Sequence, residues 1–241
     1  MPTVNDWVKQ LEQRGLEPIV LTDEQRAEKE KQDAIKFTQQ WQKQDRAKYI
    51  NASLWGEESA RSFQFSDWLP EKQPNEQKAK EVGNQAYRIM RQLSEKSFNV
   101  FLNGEAGTGK TSLALAIMDG LGSEYTNMFV SVIEWRDKTY QAFHDDKLQQ
   151  QLSVIEKYMR DVDVLILDDF GKETQKEAKE KVAGMLFRLA DARKGKTTII
   201  TSNDNELALT KKYDMATLSR LIPSEPSHVI DMDGMEDVRK V

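Results

Sequence analysis

The stretch Gly104-Glu-Ala-Gly-Thr-Gly-Lys-Thr111 matches the spacing G-x-x-x-x-G-K-[ST] at every fixed position. Glycines at those places let backbone N–H groups converge on an anion with no side chain in the way. A helix opening at the end of the loop would turn its positive end on the same anion. Lys110 has the reach for the outer phosphates of a nucleoside triphosphate, and Thr111 offers a hydroxyl to Mg²⁺. The expected nucleotide-binding residues are therefore Gly104, Glu105, Ala106, Gly107, Thr108, Gly109, Lys110, Thr111 and Ser112. Such a loop needs an acid from a neighbouring strand end to complete the metal site. Val164-Leu-Ile-Leu-Asp-Asp-Phe-Gly171 supplies two, because four apolar residues run straight into Asp168 and Asp169. Successive side chains on a strand point to opposite sides, so the two acids need not share one spot. Asp168 is expected beside Thr111 as a metal ligand, and Asp169 as the group that orients the attacking water. A divalent cation alongside would offset the repulsion between the two carboxylates.

Three further polar residues follow in an order that suits the same chemistry. Asn203 closes Thr198-Ile-Ile-Thr-Ser-Asn203. An amide at that strand tip, with Thr201 and Ser202 as neighbours, is placed to sense the γ-phosphate. An Asn after a strand otherwise serves a turn. Arg220 sits in the otherwise apolar Ala216-Thr-Leu-Ser-Arg-Leu-Ile222. It suits an arginine finger aimed at a neighbouring subunit, the plainer alternative being a surface arginine with a buried stem. Arg239, in the charged C-terminal stretch, is a candidate second phosphate sensor acting within its own chain.

These residues require a scaffold of alternating strands and helices. Candidate strands are Ser97 to Leu102, Met128 to Val132, Val162 to Leu167, Thr197 to Thr201 and His228 to Met232. Helical patterns between them predict a parallel sheet covered on both faces. From residue 76, EQKAKEVGNQAYRIMRQL places Ala79, Val82, Ala86, Ile89, Met90 and Leu93 on one helical face. The chain before it is different. Residues 1–50 read as helical: Val4, Trp7, Val8 and Leu11 recur at helical spacing, and Gly15 is a natural stop. A second helix is expected from the capping box Thr22-Asp-Glu-Gln25 to about Lys48, polar enough to be a solvated helix or a partner-binding arm. Residues 51–75 read as a linker, with Trp55, Phe63, Phe65 and Trp68 available to pin it to the domain at 76–241.

Composition bounds the rest. The 241 residues suit one sizeable domain and a smaller appendage. There is no cysteine, and His144 and His228 are the only histidines, which argues against disulfides and zinc. The N-terminus has no basic-then-apolar leader and no apolar run approaches a membrane span, so a cytoplasmic protein with no membrane partner is expected. A net charge of −5 is unlike that of a dedicated duplex-DNA binder, which is usually basic.

With these motifs in place, the chain resembles the AAA+ ATPases, and among them the bacterial replicative helicase loaders of the DnaC/DnaI type. GEAGTGKTS, VLILDDFG, IITSN, LSRLI and the short DMDGMEDVRK tail carry the resemblance, over roughly residues 60 to 241. It implies a P-loop AAA+ three-layer α/β/α domain with a five-stranded parallel sheet, preceded by a small all-helical N-terminal domain. It also implies Mg²⁺-dependent ATP hydrolysis between subunits of an ATP-dependent oligomer. Residues 1–50 would then grip a DnaB-type replicative helicase, which is placed on single-stranded DNA when replication initiates. One departure is that this chain cannot carry the cysteine-based zinc site of the DnaI branch. Arg136, Lys138 and Tyr140, in IEWRDKTYQAF, are candidates for single-stranded DNA contact, or else belong to an ordinary amphipathic helix.

Other readings remain beside this one. An IstB-type transposition ATPase, binding DNA as an ATP-dependent oligomer, would have nearly the same core. The low basic charge favours the loader over that duplex-remodelling partner. A small-molecule kinase would need an arginine-bearing lid, where the segment between Asp169 and Thr197 is mostly lysine and glutamate. A GTPase would need an N-K-x-D guanine reader, which is absent. A nucleotide-gated adaptor with slow turnover overlaps the loader reading.

Overall fold

The computed structural model describes residues 22–56, 61–172 and 179–237. The chain divides into two compact units, Met1–Asp45 and Arg46–Val241. The helix proposed near the N-terminus, with Val4 to Leu11 as its apolar face, lies outside the described residues, as does Arg239.

Helix α1 spans Asp23–Asn51, with Asp23 and Glu24 in its first turn and Lys48 in its last, each sign matching the helix dipole. The predicted capping box is formed. Gln25 N–H donates to Thr22 Oγ1 at 3.2 Å, and Thr22 N–H donates to Gln25 Oε1 at 3.0 Å. Within the larger unit, Tyr49 from the last turns is buried edge-on against Tyr158.

The larger unit is built on five strands: β1 (Val100–Asn103), β2 (Asn127–Ser131), β3 (Val164–Asp168), β4 (Thr197–Ser202) and β5 (Val229–Asp231). They pair in the order β2-β3-β4-β1-β5, and every pair is parallel. Parallel pairing requires crossovers, and helices fill them on both faces. The helices are α2 (Glu76–Leu93), α3 (Lys110–Gly120), α4 (Val132–Gln141), α5 (Asp146–Asp161), α6 (Lys179–Ala192), α7 (Glu206–Leu209) and α8 (Met215–Leu221).

Strand alternation divides the core in two. Leu165 and Leu167 join Met128, Val130 and Ile200 against Trp135, Met159, Leu186 and Leu218. Val164 and Ile166 join Val100, Leu102, Phe129, Ile199 and Ile230 against helices α2 and α3. This is why β3 reads as an unbroken apolar run: both of its faces are buried. On α2 the buried residues are Ala79, Val82, Ala86, Ile89, Met90 and Leu93, the face predicted from spacing.

Residues 51–75 are bound to the sheet domain along much of their length. Leu54 bridges Val130 in parallel, so its N–H donates to Phe129 O at 2.9 Å and its carbonyl accepts from Ser131 N–H at 2.8 Å. That pairing covers the open edge of β2. Trp55 stacks on Phe129 with centroids 4.3 Å apart, and Phe63, Phe65 and Trp68 pack on the same core. Arg193, just past α6, is buried and donates to the carbonyls of Met159 at 2.7 Å and Val162 at 2.8 Å, and to that of Thr197. Burial pushes its guanidinium down to about 9, still protonated at neutral pH. It staples the end of α5 to the start of β4.

Candidate nucleotide-binding site

Parallel strands leave their carboxyl ends on one edge, and the crevice there is where ligands of open α/β sheets bind. Three of those ends meet here. The loop after β1 holds the glycines, with φ of 147° at Gly104, 82° at Gly107 and 97° at Gly109. A side chain is strained at each of these angles. Gly109 is also the N-cap of α3 and supplies no side-chain cap, unlike the capping residues Asn75 of α2 and Asp145 of α5. The first N–H groups of α3 therefore open onto the loop. Lys110 lies beneath it, 6% exposed, and its Nζ donates to Gly104 O at 2.7 Å and Glu105 O at 2.6 Å. Thr108 is buried, with its hydroxyl donating to Glu105 O at 2.9 Å. Ser112 is partly buried, and Glu105 and Ala106 are exposed.

The acid strand comes close to this loop. Asp168 Oδ1 accepts from Thr111 Oγ1 and from Thr201 Oγ1, each at 2.7 Å. β4 lies between β1 and β3, so Thr201 comes from the strand that spans the gap. Asp168 is 4% exposed. Burial pushes its carboxyl above the usual carboxylate range, the Thr201 and Thr111 hydroxyls oppose that shift, and the charge of Asp169 adds to it. A buried carboxylate beside a hydroxyl is a set of hard oxygen donors, and Mg²⁺ is the divalent ion that takes few protein ligands beside nucleotide phosphates. The residues present therefore fit a Mg²⁺–nucleotide, which Thr111 and Asp168 could hold through their side-chain oxygens.

Asp169 is separated from Asp168 by a means other than the expected alternation. The strand stops at Asp168, and Asp169 turns into the left-handed region with φ 60°. Asp tolerates that region better than most residues. Its N–H donates to Thr201 Oγ1 at 3.1 Å, and its carboxylate pairs with Lys172 Nζ at 2.7 Å. Phe170 is fully buried and stacks on Tyr213 at 4.6 Å. Asn203 follows the end of β4, exposed, between the acid strand and the glycine loop.

Arg220 is not part of this cluster. It donates through Nε to Asp191 Oδ1 at 3.0 Å and through Nη1 to Ala216 O at 2.6 Å, and its guanidinium lies 4.8 Å from the Phe187 ring centre. Its backbone carbonyl accepts from Asn99 Nδ2 at 2.7 Å, which anchors it at the opposite end of β1. From Asn99 to Gly104 is about 16 Å at ~3.3 Å per residue, beyond the reach of one side chain. Arg136 is paired with its neighbour Asp137 at 2.7 Å, Lys138 lies in the last turn of α4, and Tyr140 and Phe143 stand exposed with centroids 6.4 Å apart.

Three neighbours of the site carry no motif. The Trp68 ring backs the loop: a Cβ on Gly109 would lie 2.8 Å from it, and one on Gly83 2.7 Å. Lys172 is signalled only by its spacing of three from Asp169. Asp237 lies over Gly107, brought there after a turn at Asp233-Gly234; that pair signals the turn but not where the chain leads.

Fold and site together define a P-loop ATP-binding domain of the AAA+ kind. The chain belongs to the IstB-like ATP binding protein family, whose model matches residues 76–230. Among solved structures, DnaI is similar at 20% identity and a TM-score of 0.54, over 72% of this chain and 91% of that one. A DNA replication initiation factor is similar at 17% identity and a TM-score of 0.54, over 73% of this chain and 50% of the other. AMPPCP-bound DnaA from Aquifex aeolicus is similar at 16% identity and a TM-score of 0.53, over 70% of this chain and 50% of that one. At these identities the likeness is one of fold. No curated protein matches the sequence. No helix among the described residues is long and apolar enough to cross a membrane.

Proposed function

We propose that this chain is a Mg²⁺-dependent ATPase that works as an oligomer to load a DnaB-type hexameric helicase onto single-stranded DNA. The observation that carries the ATPase reading is the junction of Thr111, Asp168 and Thr201 at the mouth of the glycine loop. The loop N–H groups and the N-terminus of α3 hold the phosphate oxygens, and Lys110 leaves its carbonyl partners for the β- and γ-oxygens. Thr111 and Asp168 would hold Mg²⁺, which would supply charge neutralisation at those oxygens. Asp169, once released from Lys172, accepts a proton from the attacking water, and Asn203 contacts the γ-phosphate. Arg220 cannot reach its own loop, so its electrostatic role falls on an adjacent subunit's nucleotide. That makes turnover a property of the oligomer.

The loader assignment rests on the DnaI-like core, the absence of a basic surplus and the long polar helix α1. Residues 1–50 are the proposed helicase grip, 51–75 its tether and 76–241 the ATPase domain. Tyr140 and Phe143, with Arg136 and Lys138 nearby, offer a stacking surface for single-stranded bases. The family match supports a second reading, a transposition ATPase that binds DNA as an ATP-dependent oligomer.

Light scattering after gel filtration, with a DnaB-type helicase and with or without ATP, separates the two. The loader reading expects a joint particle heavier than the helicase hexamer by several copies of this chain. Two separate peaks under both conditions, together with ATP hydrolysis stimulated by duplex DNA, would assign the transposition role instead.

A further inference from the structure

We propose that the carboxylate of Asp237 is an internal competitor for the phosphate cradle, which nucleotide must displace in order to bind. The inference rests on the nucleotide-binding reading of the loop and concerns how that site is regulated.

The C-terminal segment is led to the loop by several contacts. After β5, Met232 N–H donates to Asn103 O at 2.8 Å, so the strand pairing with β1 continues to the residue before the glycine loop. Met232 then crosses Gly104 so closely that a Cβ there would lie 2.9 Å from its own Cβ. Met232 and Met235 are buried, and Gly234, at φ 82°, turns the chain between them. The side chain of Gln73, 6% exposed, then clamps the next residue from both sides. Gln73 Nε2 donates to Glu236 O, and Glu236 N–H donates to Gln73 Oε1, each at 2.9 Å. Asp237 follows immediately. A Cβ on Gly107 would lie 1.9 Å from its Oδ1 and 2.0 Å from its Cγ. The carboxylate thus rests directly on the central glycine of the loop.

The chemistry of the loop explains why an acid settles there. Converging N–H groups, a helix N-terminus and the Lys110 ammonium favour an anion, and a carboxylate has the charge and acceptor oxygens of one phosphate face. The same charge cannot remain beside a bound triphosphate, because like charges in a shared, partly desolvated site repel. Nucleotide and Asp237 therefore exclude each other, and binding must lift the segment away from Gly107. The apparent affinity is the intrinsic one reduced by the fraction of molecules with an open cradle.

The test is calorimetric titration of ATP, with EDTA present so that metal ligation by Asp237 plays no part. It uses the full chain, Asp237→Asn and Gln73→Ala. If the cradle is occupied in nine molecules of ten, either variant binds ATP about tenfold tighter than the parent. The double variant gains no more than the better single one, because both changes open the same cradle. Unchanged or weaker binding by Asp237→Asn overturns the proposal, and so does tightening by Gln73→Ala alone. Failure of the underlying reading looks different: the parent, both variants and Lys110→Ala would then be alike in giving no binding heat.

Discussion

Asp168 is ionised only at a cost, because 4% exposure leaves its carboxylate little water and two hydroxyls return only part of that loss. Its pKa is raised on folding. The native state therefore binds a proton that the unfolded chain releases, and stability rises as pH falls through the raised value. At neutral pH the charge is a burden that a bound Mg²⁺, as proposed, would relieve. Asp168→Asn is expected to raise the melting temperature of the nucleotide-free protein, by about 2–4 °C for each kcal/mol recovered, while abolishing hydrolysis. A melting temperature that falls would mean that the two hydroxyl contacts outweigh desolvation. The same shift makes metal affinity pH-dependent: Mg²⁺ binding weakens as pH drops through a value above the ordinary aspartate range, measurable by titrating Mg²⁺ into the ATP-bound protein. Asp169 differs in being partly exposed and paired with Lys172. Asp169→Asn is expected to keep ATP binding and to lower turnover by at least ~100-fold.

At the scale of elements, the loop is held from behind as well as from within. Trp68 fills the space against Gly83 and Gly109, and its indole N–H donates to Ala79 O at 3.0 Å, tying residues 51–75 to α2 and to the start of α3. Trp68→Ala removes a partly buried ring and is expected to cost about 2–3 kcal/mol in urea unfolding, below the range for a fully buried tryptophan. ATP affinity should fall with it, since the α3 N-terminus loses its backing. Affinity unchanged at reduced stability would separate the two roles. Arg193 makes the contrasting case, because it serves only the scaffold. Arg193→Met leaves the Met159, Val162 and Thr197 carbonyls without their donor. It is expected to cost about 3 kcal/mol or more, with ATP affinity of the folded fraction intact.

The whole molecule separates its two charged ends. Asp168, Asp169 and Lys110 gather at the carboxyl edge of the sheet, and Arg220 lies at the other edge, held by Asp191 and Phe187. On the proposed reading a single copy would carry two incomplete sites, which head-to-tail association would complete with the next copy. Arg220→Ala is expected to bind ATP normally and hydrolyse it poorly. Mixed with Lys110→Ala protein, it should regain part of its turnover, because Lys110→Ala subunits still present Arg220. Flat activity at every mixing ratio would place Arg220 in the scaffold, as the partner of Asp191.

Much of this protein is legible in the order of its residues, for a physical reason: the features that were found are local. The glycine loop needs its eight consecutive positions, the α1 capping box four, and the buried face of α2 a single helical period. The run Val164–Leu167 announces a strand buried on both faces, and the acids after it announce its carboxyl end. What tertiary structure alone decided involves residues far apart in the chain. Strand order sets β4 between β1 and β3, and only then do Thr111, Asp168 and Thr201 share one hydrogen-bonded point. Asp169 parts from Asp168 through a left-handed turn that the pleat does not predict. Asp237 reaches Gly107 because Gln73, 163 residues from Glu236, clamps the segment before it. Periodicity and motif spacing report what neighbours along the chain prefer, whereas the meeting of such distant groups depends on how the sheet is wound.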